Sequence, residues 1–505
     1  MEKLFLGIEL GSTRIKAVLT DKNSAVLAIG AYDWENTLVD GLWSYPLDEA
    51  VKGLQTSYKR LAENYGKPLT HIDAIGISGM MHGYLAFDKD GKLLAPFRTW
   101  RNTNTGEAAG KLTKLFNFNV PLRWSVSQYY QSYLDKLAHV KDVAFLTTLA
   151  GYIHYLLTGE KVIGANDASG MFPLSGRDYD GEMLKKFNKL IGRDFKALLP
   201  KVMLAGENAG TLTKEGALLL DPSGELQEGV IFCPPEGDMG TGMVCANAVM
   251  PKTGQISSGT SANLTVVLEK PLKNYYSEID IIASPAGDPS ALIHTNNCTS
   301  EINQWINMFA EVAELCGAHV NMGELFEKLF KKSAQSDDNV GGLTGYNFLA
   351  GEPLAGTVNG APLVARTPDG KLNLANFMQM QIYSAVSALS LGLDILAKEQ
   401  VKVDRVTAHG GFYKTPVIGQ VATSAVVKAP VTVLENAGEG GAWGIALLAR
   451  YTTENILPLG QFLEGVFKDV KKTTLTADEK ENKKYENFIK RYNKNLNAEK
   501  LISEN

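Results

Sequence analysis

The sequence predicts an α/β protein with two similar domains, each built on a mixed β-sheet with flanking helices, and a cleft between them. A chain of 505 residues is longer than one hydrophobic core usually organises. Residues 8–19 and residues 256–268 share one pattern, in which an apolar strand, a glycine with hydroxyl residues and a second strand follow one another. The first elements run strand, strand, strand, helix, strand, which is typical of a mixed sheet rather than a purely alternating one.

In the first half of the chain, apolar segments alternate with turn-forming ones. Short apolar runs bounded by Asn, Asp, Ser or Gly predict strands, and apolar residues at helical spacing predict a helix that Gly66 ends. The predicted elements are strands at 4–10, 15–19, 25–31, 72–78 and 84–87, a turn at 21–24 and a helix at 47–65. Residues 104–180 are predicted to form a mainly helical insertion over this sheet.

The second half repeats the strand-and-loop organisation and ends in a charged tail. We expect the domains to meet near residue 249, which gives one domain at 1–248 and another at 249–505. The predicted landmarks are a strand at 230–233 that breaks at residues 234–242, a strand at 406–408, a loop at 409–413 and a helix opening near Pro416. From Asp469 onward lysine, glutamate and asparagine dominate, which predicts a solvated terminal helix with a frayed end.

Composition excludes some partners. The formal net charge of −5, without clusters of basic residues interleaved with aromatics, argues against nucleic acid. The start of the chain reaches an acidic residue before a signal-peptide core can form, and nowhere do 18 apolar residues run together, so we predict a cytoplasmic protein without a membrane partner. The four cysteines lack metal-ligand spacing and are predicted to be reduced.

Two glycine turns predict phosphate binding. They are Gly11-Ser12-Thr13 and Gly259-Thr260-Ser261, each at the tip of a predicted hairpin. Glycine lets a backbone approach an anion closely, and hydroxyls with neighbouring N–H groups supply donors for its oxygens. One such turn is as easily a plain chain reversal, but its duplicate favours a nucleotide held between the domains. A Walker sequence is absent, so another ATPase fold is expected.

Two carboxylates are candidate catalytic residues and metal ligands. Asp238 lies in a glycine-flanked loop after an apolar strand, at the sheet edge where α/β proteins place their chemistry. Its alternative role is to cap a turn or a helix. Glu9 lies near the end of a central strand, where a carboxylate is costly to bury without a partner, and Mg²⁺ beside a phosphate turn is a suitable one.

Three further segments carry weaker signals. His82 follows a strand and can hydrogen-bond a sugar hydroxyl, although a lone histidine is more often structural. Gly410 and Gly411 close a strand before a helix and offer flat backbone to an adenine or a ribose. Residues 435–444 repeat that glycine pattern, for which tight packing of a helix on a sheet is the alternative.

Together these residues resemble the FGGY family of carbohydrate kinases, in the superfamily that shares the ribonuclease H-like fold of actin, hexokinase and the Hsp70 ATPase. The resemblance covers almost the whole chain. Its landmarks, in the order of the family, are residues 7–13, 81–83, 157–160, 166–170, 237–238, 258–261 and 410–411. The step Met81-His82-Gly83 most resembles the xylulokinases, whereas glycerol kinases typically carry Arg-Glu there.

The resemblance implies site residues. It makes Asp238 the general base, with Met81 and His82 facing the sugar. The implied nucleotide contacts are Gly11, Ser12, Thr13, Lys16, Gly259, Thr260, Ser261, Gly410, Gly411 and Thr415. The candidate sugar contacts are Met81, His82, Trp100, Gln128, Asp238 and Met239. Within the insertion, residues 124–131 are too polar for a core by their composition, and we expect them to line the sugar pocket.

Several positions depart from the family pattern. Glu9 replaces the usual aspartate, and Met239 replaces the usual Asn or Gln. Trp100-Arg101-Asn102 stands where Trp-Asn-Asp is frequent, and Ser-Gln-Tyr-Tyr-Gln at 127–131 replaces a lysine-containing signature. For this reason the reaction is better specified by the sequence than the substrate is.

The implied activity is ATP- and Mg²⁺-dependent phosphorylation of the terminal primary hydroxyl of a ketopentose. D-Xylulose is the first choice, L-ribulose a close second, and another ketose or a polyol is the wider alternative. The N-terminal domain would bind the sugar and the C-terminal domain the nucleotide. Two other classes remain open, a sugar-binding regulatory protein and an actin-like or chaperone-like ATPase. A homodimer is the default expectation for a metabolic enzyme of this size.

Overall fold

The computed structural model describes residues 3–435 and 440–504. Its strands are β1 Leu4–Leu10, β2 Arg14–Asp21, β3 Val26–Asp33, β4 Thr37–Val39, β5 Leu42–Ser44, β6 Ala74–Gly79, β7 Leu85–Phe87, β8 Phe145–Thr147, β9 Val162–Gly164, β10 Leu174–Ser175, β11 Asp178–Tyr179, β12 Lys201–Met203, β13 Ile231–Phe232, β14 Glu236–Gly237, β15 Thr253–Ser258, β16 Ala262–Val267, β17 Asp280–Ala283, β18 Pro289–Thr295, β19 Leu343–Tyr346, β20 Leu363–Arg366, β21 Arg405–His409, β22 Val431–Leu434 and β23 Lys472–Leu475.

The α-helices are α1 Leu47–Tyr65, α2 Gly106–Phe116, α3 Ser125–Leu134, α4 Leu149–Thr158, α5 Ala165–Ser169, α6 Gly181–Ile191, α7 Lys214–Leu220, α8 Asp238–Cys245, α9 Ser300–Leu315, α10 Met322–Ser333, α11 Leu374–Lys398, α12 Ile418–Val427, α13 Gly440–Thr453, α14 Leu459–Val466 and α15 Glu479–Ser503. Short 3₁₀ helices lie at Ala138–Asp142, Lys196–Leu198, Val340–Gly342, Pro353–Ala355 and Gly411–Tyr413.

The first sheet has the strand order β13-β6-β1-β2-β3, with β14 also pairing with β6. Strand β1 is parallel to β6 and antiparallel to β2, so the sheet is mixed as predicted. Six of the seven residues of β1 are buried, because helices cover both faces of the sheet. Helix α1 has the predicted bounds and ends at Gly66, whose φ of 70° is the left-handed conformation that favours glycine.

The second sheet repeats the first. Its order is β17-β18-β16-β15-β21-β22-β23, and β15 is parallel to β21 and antiparallel to β16. Thus β15 and β16 correspond to β1 and β2, and β21 corresponds to β6. This duplicated mixed sheet with flanking helices confirms the predicted α/β fold class.

Helix α13 returns from the second half of the chain and packs on β1, β6 and α8 of the first half. Glycines allow this close approach, because a Cβ at Gly7 would lie 2.0 Å from the carbonyl oxygen of Ala442. Phe5 and Ile445 are fully buried in the resulting core. A domain boundary between residues 248 and 249 would therefore separate α13 from the sheet on which it packs. The division into residues 1–248 and 249–505 stays a prediction.

The insertion contains its own aromatic core, and one expectation about it is wrong. Residues 124–131 were expected to be too polar for a core, yet Trp124, Tyr129 and Tyr130 are buried in a cluster with Phe187 and other apolar residues. Residues 125–134 form α3, and burial of its polar side chains between aromatic ones is a property of the packed insertion rather than of local composition.

The charged tail is also more integrated than predicted. Helix α15 buries Tyr485, Phe488 and Tyr492 in the core of the second half, and β23 joins the edge of its sheet. The described residues contain one helix, α11, that is long and apolar enough to span a membrane, and 72% of its apolar stretch is buried inside the protein. The cytoplasmic location stays a prediction.

Candidate active site

The first of the two predicted phosphate-binding turns, Gly11-Ser12-Thr13, is called here a phosphate-type turn, as is Gly259-Thr260-Ser261. Aromatic residues fix the first turn through hydrogen bonds. The indole N–H of Trp34 donates to the carbonyl oxygen of Gly11 at 2.7 Å. The hydroxyl of Tyr45 donates to the backbone carbonyl oxygen of Ser12 at 2.6 Å. The backbone N–H of Trp34 donates to the carbonyl of Thr13. With its carbonyls bound from outside, the turn is fixed, and the side chain of Thr13 remains exposed. Such a turn can present hydroxyl donors to an anion.

The second turn is held in the same manner by different residues. Thr299 donates from its hydroxyl to the carbonyl of Gly259 at 2.7 Å, and the N–H of Cys298 donates to the carbonyl of Thr260. Gly410, at φ 113°, lies against this hairpin, because a Cβ there would be 2.2 Å from the carbonyl oxygen of Ser258. Gly411 faces open space, with no atom near its Cβ position.

The remaining nucleotide candidates divide by exposure. Thr260 is exposed, Ser12, Lys16 and Ser261 are half-buried, and Thr415 is buried at the start of the segment that leads into α12. The predicted pattern at residues 435–444 falls partly on 436–439, which lie outside the described residues.

Asp238 opens α8 at the end of the short strand β14. Its Oδ1 accepts hydrogen bonds of 3.0 Å from the N–H of Met81 and from the N–H of Met239. The side chain can be reached by solvent, although many protein atoms surround it. The resulting desolvation raises the pKa of Asp238 and outweighs the two N–H donors, which lower it. The donors fix the direction of the carboxylate, so its other oxygen, Oδ2, is held in place while accepting neither of these bonds.

The second sheet forms the opposite wall of the cleft next to Asp238. Met81 and Met239 pack against Ile282 and Leu292. Leu292 belongs to β18, and the same strand ends at Thr295, which pairs with Ala262 directly after the second turn. One strand thus joins the surroundings of Asp238 to the second phosphate-type turn.

Glu9 lies opposite Lys16 in the β1–β2 register. Its carboxylate accepts the backbone N–H of Ala442 in the first turn of α13, where the helix dipole favours a negative charge. Desolvation and the nearby charge of Asp238 nevertheless raise the pKa of Glu9 to about 7. The two candidate carboxylates are therefore close enough to repel each other.

A divalent cation fits this pair of carboxylates. Glu9 and Asp238 place two mutually repelling carboxyl groups at one edge of the first sheet, where Lys16 offsets only part of the charge of Glu9, and a cation would relieve the repulsion. Among residues 3–435 and 440–504 no group of three or more His, Cys, Asp or Glu side chains could hold a metal. Mg²⁺ at phosphate sites typically uses one or two carboxylates and completes its shell with waters and phosphate oxygens, which agrees with this donor set.

His82 adopts a left-handed conformation, with φ 72°, that is uncommon outside glycine. Its backbone N–H donates to the carboxyl group of Asp167, which also accepts the hydroxyl of Thr148 at 2.6 Å. Burial, followed by the charge of Arg123, lowers the pKa of His82 well below its ordinary value, so the imidazole is neutral. Gly170 makes room for the ring, since a Cβ there would lie 2.4 Å from Nδ1 of His82.

Asp167 and Glu236 form a buried carboxyl pair that sequence reasoning missed. The N–H of Asp167 donates to Oε2 of Glu236 at 3.2 Å, and each side chain has one further oxygen without a hydrogen-bonding partner. Desolvation raises the pKa of Asp167 to about 8 and that of Glu236 well above its ordinary value. The sequence carried one signal for this pair: Glu236 lies two residues before the candidate base Asp238.

The two remaining candidates for sugar contacts are Trp100 and Gln128, and they have different surroundings. Trp100 is exposed at the rim of a cavity between the insertion and the second sheet. Gln128 is completely buried, and both polar atoms of its amide lack a hydrogen-bonding partner. Contact between Gln128 and a sugar thus requires a rearrangement of α3 or its neighbours, and its predicted role stays a prediction.

Family models match both halves of the chain. The model described as the N-terminal domain of the FGGY family of carbohydrate kinases matches residues 4–245, and the C-terminal domain model matches residues 254–453. Among curated proteins, the xylulose kinase of Haemophilus influenzae is 24% identical over 469 residues, which cover 89% of this chain and 90% of that protein.

Solved structures agree on the fold. A xylulose kinase from Lactobacillus acidophilus has a TM-score of 0.82 at 16% identity, over 98% of both chains. A gluconate kinase from the same organism has a TM-score of 0.81 at 16% identity, over 99% of this chain and 98% of that one. At such identities the likeness concerns the fold, not the substrate.

Proposed function

The chain belongs to the FGGY family of carbohydrate kinases, and from this premise we propose that it transfers the γ-phosphoryl group of ATP to the terminal primary hydroxyl of a ketopentose, with D-xylulose as the first choice. L-Ribulose is the next candidate. The observation that carries the proposal is the fixed carboxylate of Asp238, which accepts two backbone N–H donors and lies near enough to Glu9, close to the first turn, for their charges to interact.

Asp238 is the general base in this proposal. The sugar hydroxyl approaches the carboxylate and gives up its proton as its oxygen attacks the γ-phosphorus in line, while ADP leaves. The two N–H donors to Oδ1 keep the carboxylate oriented, so little reorganisation is required in the transition state. Its raised pKa makes it a better proton acceptor than an ordinary aspartate.

The two turns orient the phosphates. Thr13 and Thr260 are exposed at tips whose carbonyls are already hydrogen-bonded, so their hydroxyl groups can donate to phosphate oxygens. Lys16 adds positive charge beside them. Glu9 and Asp238 would hold Mg²⁺, which when bound supplies charge neutralisation on the β- and γ-phosphate oxygens.

The sugar would lie against Met81 and His82. A neutral imidazole can donate one hydrogen bond to a hydroxyl or accept one from it, and a neutral group suits an uncharged sugar. The assignment of sugar binding to residues 1–248 and of the nucleotide to residues 249–505 belongs to this proposal. Closure of the cleft would exclude the water that otherwise hydrolyses ATP.

The test is ADP release with Mg-ATP against D-xylulose, L-xylulose, D-ribulose, L-ribulose, glycerol, D-gluconate and L-fuculose. We expect one ketopentose to be preferred over the other compounds by about a hundredfold or more in kcat/KM, because a wrong sugar leaves buried polar groups of the site unpaired. Sugar binding without ADP release would instead indicate a regulatory protein. ATP hydrolysis or polymerisation that no sugar affects would indicate a chaperone-like or filament-forming ATPase.

A further inference from the structure

A cavity of about 420 Å³ lies between the helical insertion and the second sheet. Arg123 lines it from the insertion and Trp100 from the segment just before the insertion, whereas Asp280, Leu292 and His294 line it from strands β17 and β18. Its volume exceeds that of a pentose or a hexose, so it can hold the greater part of one together with water.

The cavity adjoins the surroundings of Asp238. Leu292 lines the cavity and also packs in the cluster that contains Met81 and Met239. Arg123 lies close enough to His82 for its charge to lower the pKa of that imidazole. A ligand whose reacting hydroxyl meets Asp238 would therefore extend its remaining carbons past Met81 and His82 toward Arg123.

The polar groups of the cavity connect the two halves of the chain. Arg123 donates to Asp280 in an ion pair, and the amide of Asn119 donates to Oδ1 of Asp280 at 2.8 Å. Both charged side chains are only partly exposed, so their interaction is screened less than that of a surface pair.

The charge balance of this wall does not favour an anion. The charge of Arg123 is matched by Asp280, and Glu278 adds a further negative charge to the lining. Burial and then the charge of Arg123 lower the pKa of His294, so that imidazole is neutral. Paired charged groups and a neutral imidazole are suited to hydroxyls, whereas a carboxylate would meet Asp280 and Glu278.

We propose that this cavity holds the end of the sugar remote from the phosphorylated hydroxyl, and that the Arg123–Asp280 pair with His294 selects a neutral polyhydroxylated chain over a sugar acid. The inference rests on the proposed kinase function and narrows its substrate class. It also adds Asp280 and His294 of the second half to a sugar site that the proposed function otherwise assigns to residues 1–248.

The test compares D-xylulose with D-gluconate in the wild type and in Asp280→Asn. The wild type should prefer the neutral sugar. The substitution keeps the shape of residue 280 but leaves the charge of Arg123 unmatched, so the ratio of kcat/KM for the neutral sugar to that for gluconate should fall by about tenfold or more. The KM for ATP should stay the same, whereas a general loss of structure would change it as well.

Asp178→Asn is the matched control, because Asp178 also belongs to the insertion and forms an exposed ion pair with Lys196 away from the cavity lining. It should leave the ratio unchanged. If Asp280→Asn fails to fold, His294→Gln provides the second variant and should raise the KM for the sugar about tenfold with the KM for ATP unchanged.

The outcomes separate the two proposals. A wild type that prefers gluconate, or an Asp280→Asn variant with an unchanged ratio, overturns the cavity proposal while the kinase function stands. A wild type that releases ADP with none of the sugars in the panel overturns the kinase proposal and the cavity proposal with it.

Discussion

The carboxylate of Glu9 occupies the space that a side chain at residue 441 would need. A Cβ placed on Gly441 would lie 2.3 Å from Oε1 of Glu9, and the neighbouring residue Ala442 donates its N–H to the same carboxylate. The first turn of α13 and the end of β1 thus form one unit, although 431 residues of chain separate them in the printed sequence. The packing fixes where the negative charge stands beside Asp238.

Gly441→Ala should therefore displace the carboxylate of Glu9. We expect a loss of about 1–3 kcal/mol of stability from overpacking, together with a higher Mg²⁺ requirement for activity. Thermal unfolding and a Mg²⁺ titration of the rate measure the two effects. Gly465→Ala is the control, because nothing lies near its Cβ position in α14 and alanine favours a helix there by about 1 kcal/mol. Equal behaviour of the two variants would contradict the prediction.

Asp238→Asn should bind ATP with wild-type affinity and lose most turnover. Removal of a general base typically lowers a rate by about 10²- to 10⁴-fold, or roughly 3 to 5 kcal/mol of barrier. The asparagine oxygen can still accept from the N–H groups of Met81 and Met239, so the loop should keep its shape. Calorimetric ATP binding and kcat are the measurements. A variant that retains more than about a tenth of wild-type kcat would show that Asp238 is not the base.

Glu9→Gln should raise the Mg²⁺ concentration needed for half-maximal rate. The amide keeps an acceptor for the N–H of Ala442 but loses the charge that would attract the cation. The measurement is the initial rate against free Mg²⁺ at saturating ATP and sugar. An unchanged metal dependence would assign Glu9 a structural role.

The same substitution has a pH-dependent effect on stability. Because folding raises the pKa of Glu9 from 4.5 to about 7, the folded state penalises the ionised carboxylate. The penalty is absent below pH 4.5, grows between pH 4.5 and 7 and is fully present above pH 7. Without Mg²⁺, Glu9→Gln should therefore have a higher Tm than the wild type at pH 8, with the difference shrinking toward pH 5. A Tm difference that is the same at both pH values would contradict this cause.

Asp167 should act on the sugar through His82. Asp167→Ala removes the acceptor for the N–H of His82 and for the hydroxyl of Thr148, so the left-handed conformation of His82 loses its support. We expect the KM for the sugar to rise about tenfold with little change in the KM for ATP. Asp167→Asn retains an acceptor and should restore most of the sugar affinity. Equal losses in both variants, or equal effects on both substrates, would contradict the positioning role.

Some of the site follows from local sequence. The turns at Gly11 and Gly259 could be predicted because glycine, hydroxyls and flanking apolar strands act within a few residues. Asp238 could be singled out because it lies in a glycine-flanked loop a few residues after an apolar strand. The mixed sheet and α1 were predicted on the same local grounds, and the structure confirms them.

Only the tertiary structure decides which distant residues meet. Nothing local indicates that Gly441 leaves space for Glu9, that Asp167 accepts the N–H of His82, or that Arg123 pairs with Asp280. The same reason explains the two errors, since the polar residues of α3 and the charged helix α15 are buried by partners that their own composition does not reveal. The sequence by itself determined the chain's periodicities, turns and reactive groups, because these depend on neighbours along the chain. The tertiary structure alone decided burial, charge pairing and the shape of the cleft, because these depend on neighbours in space.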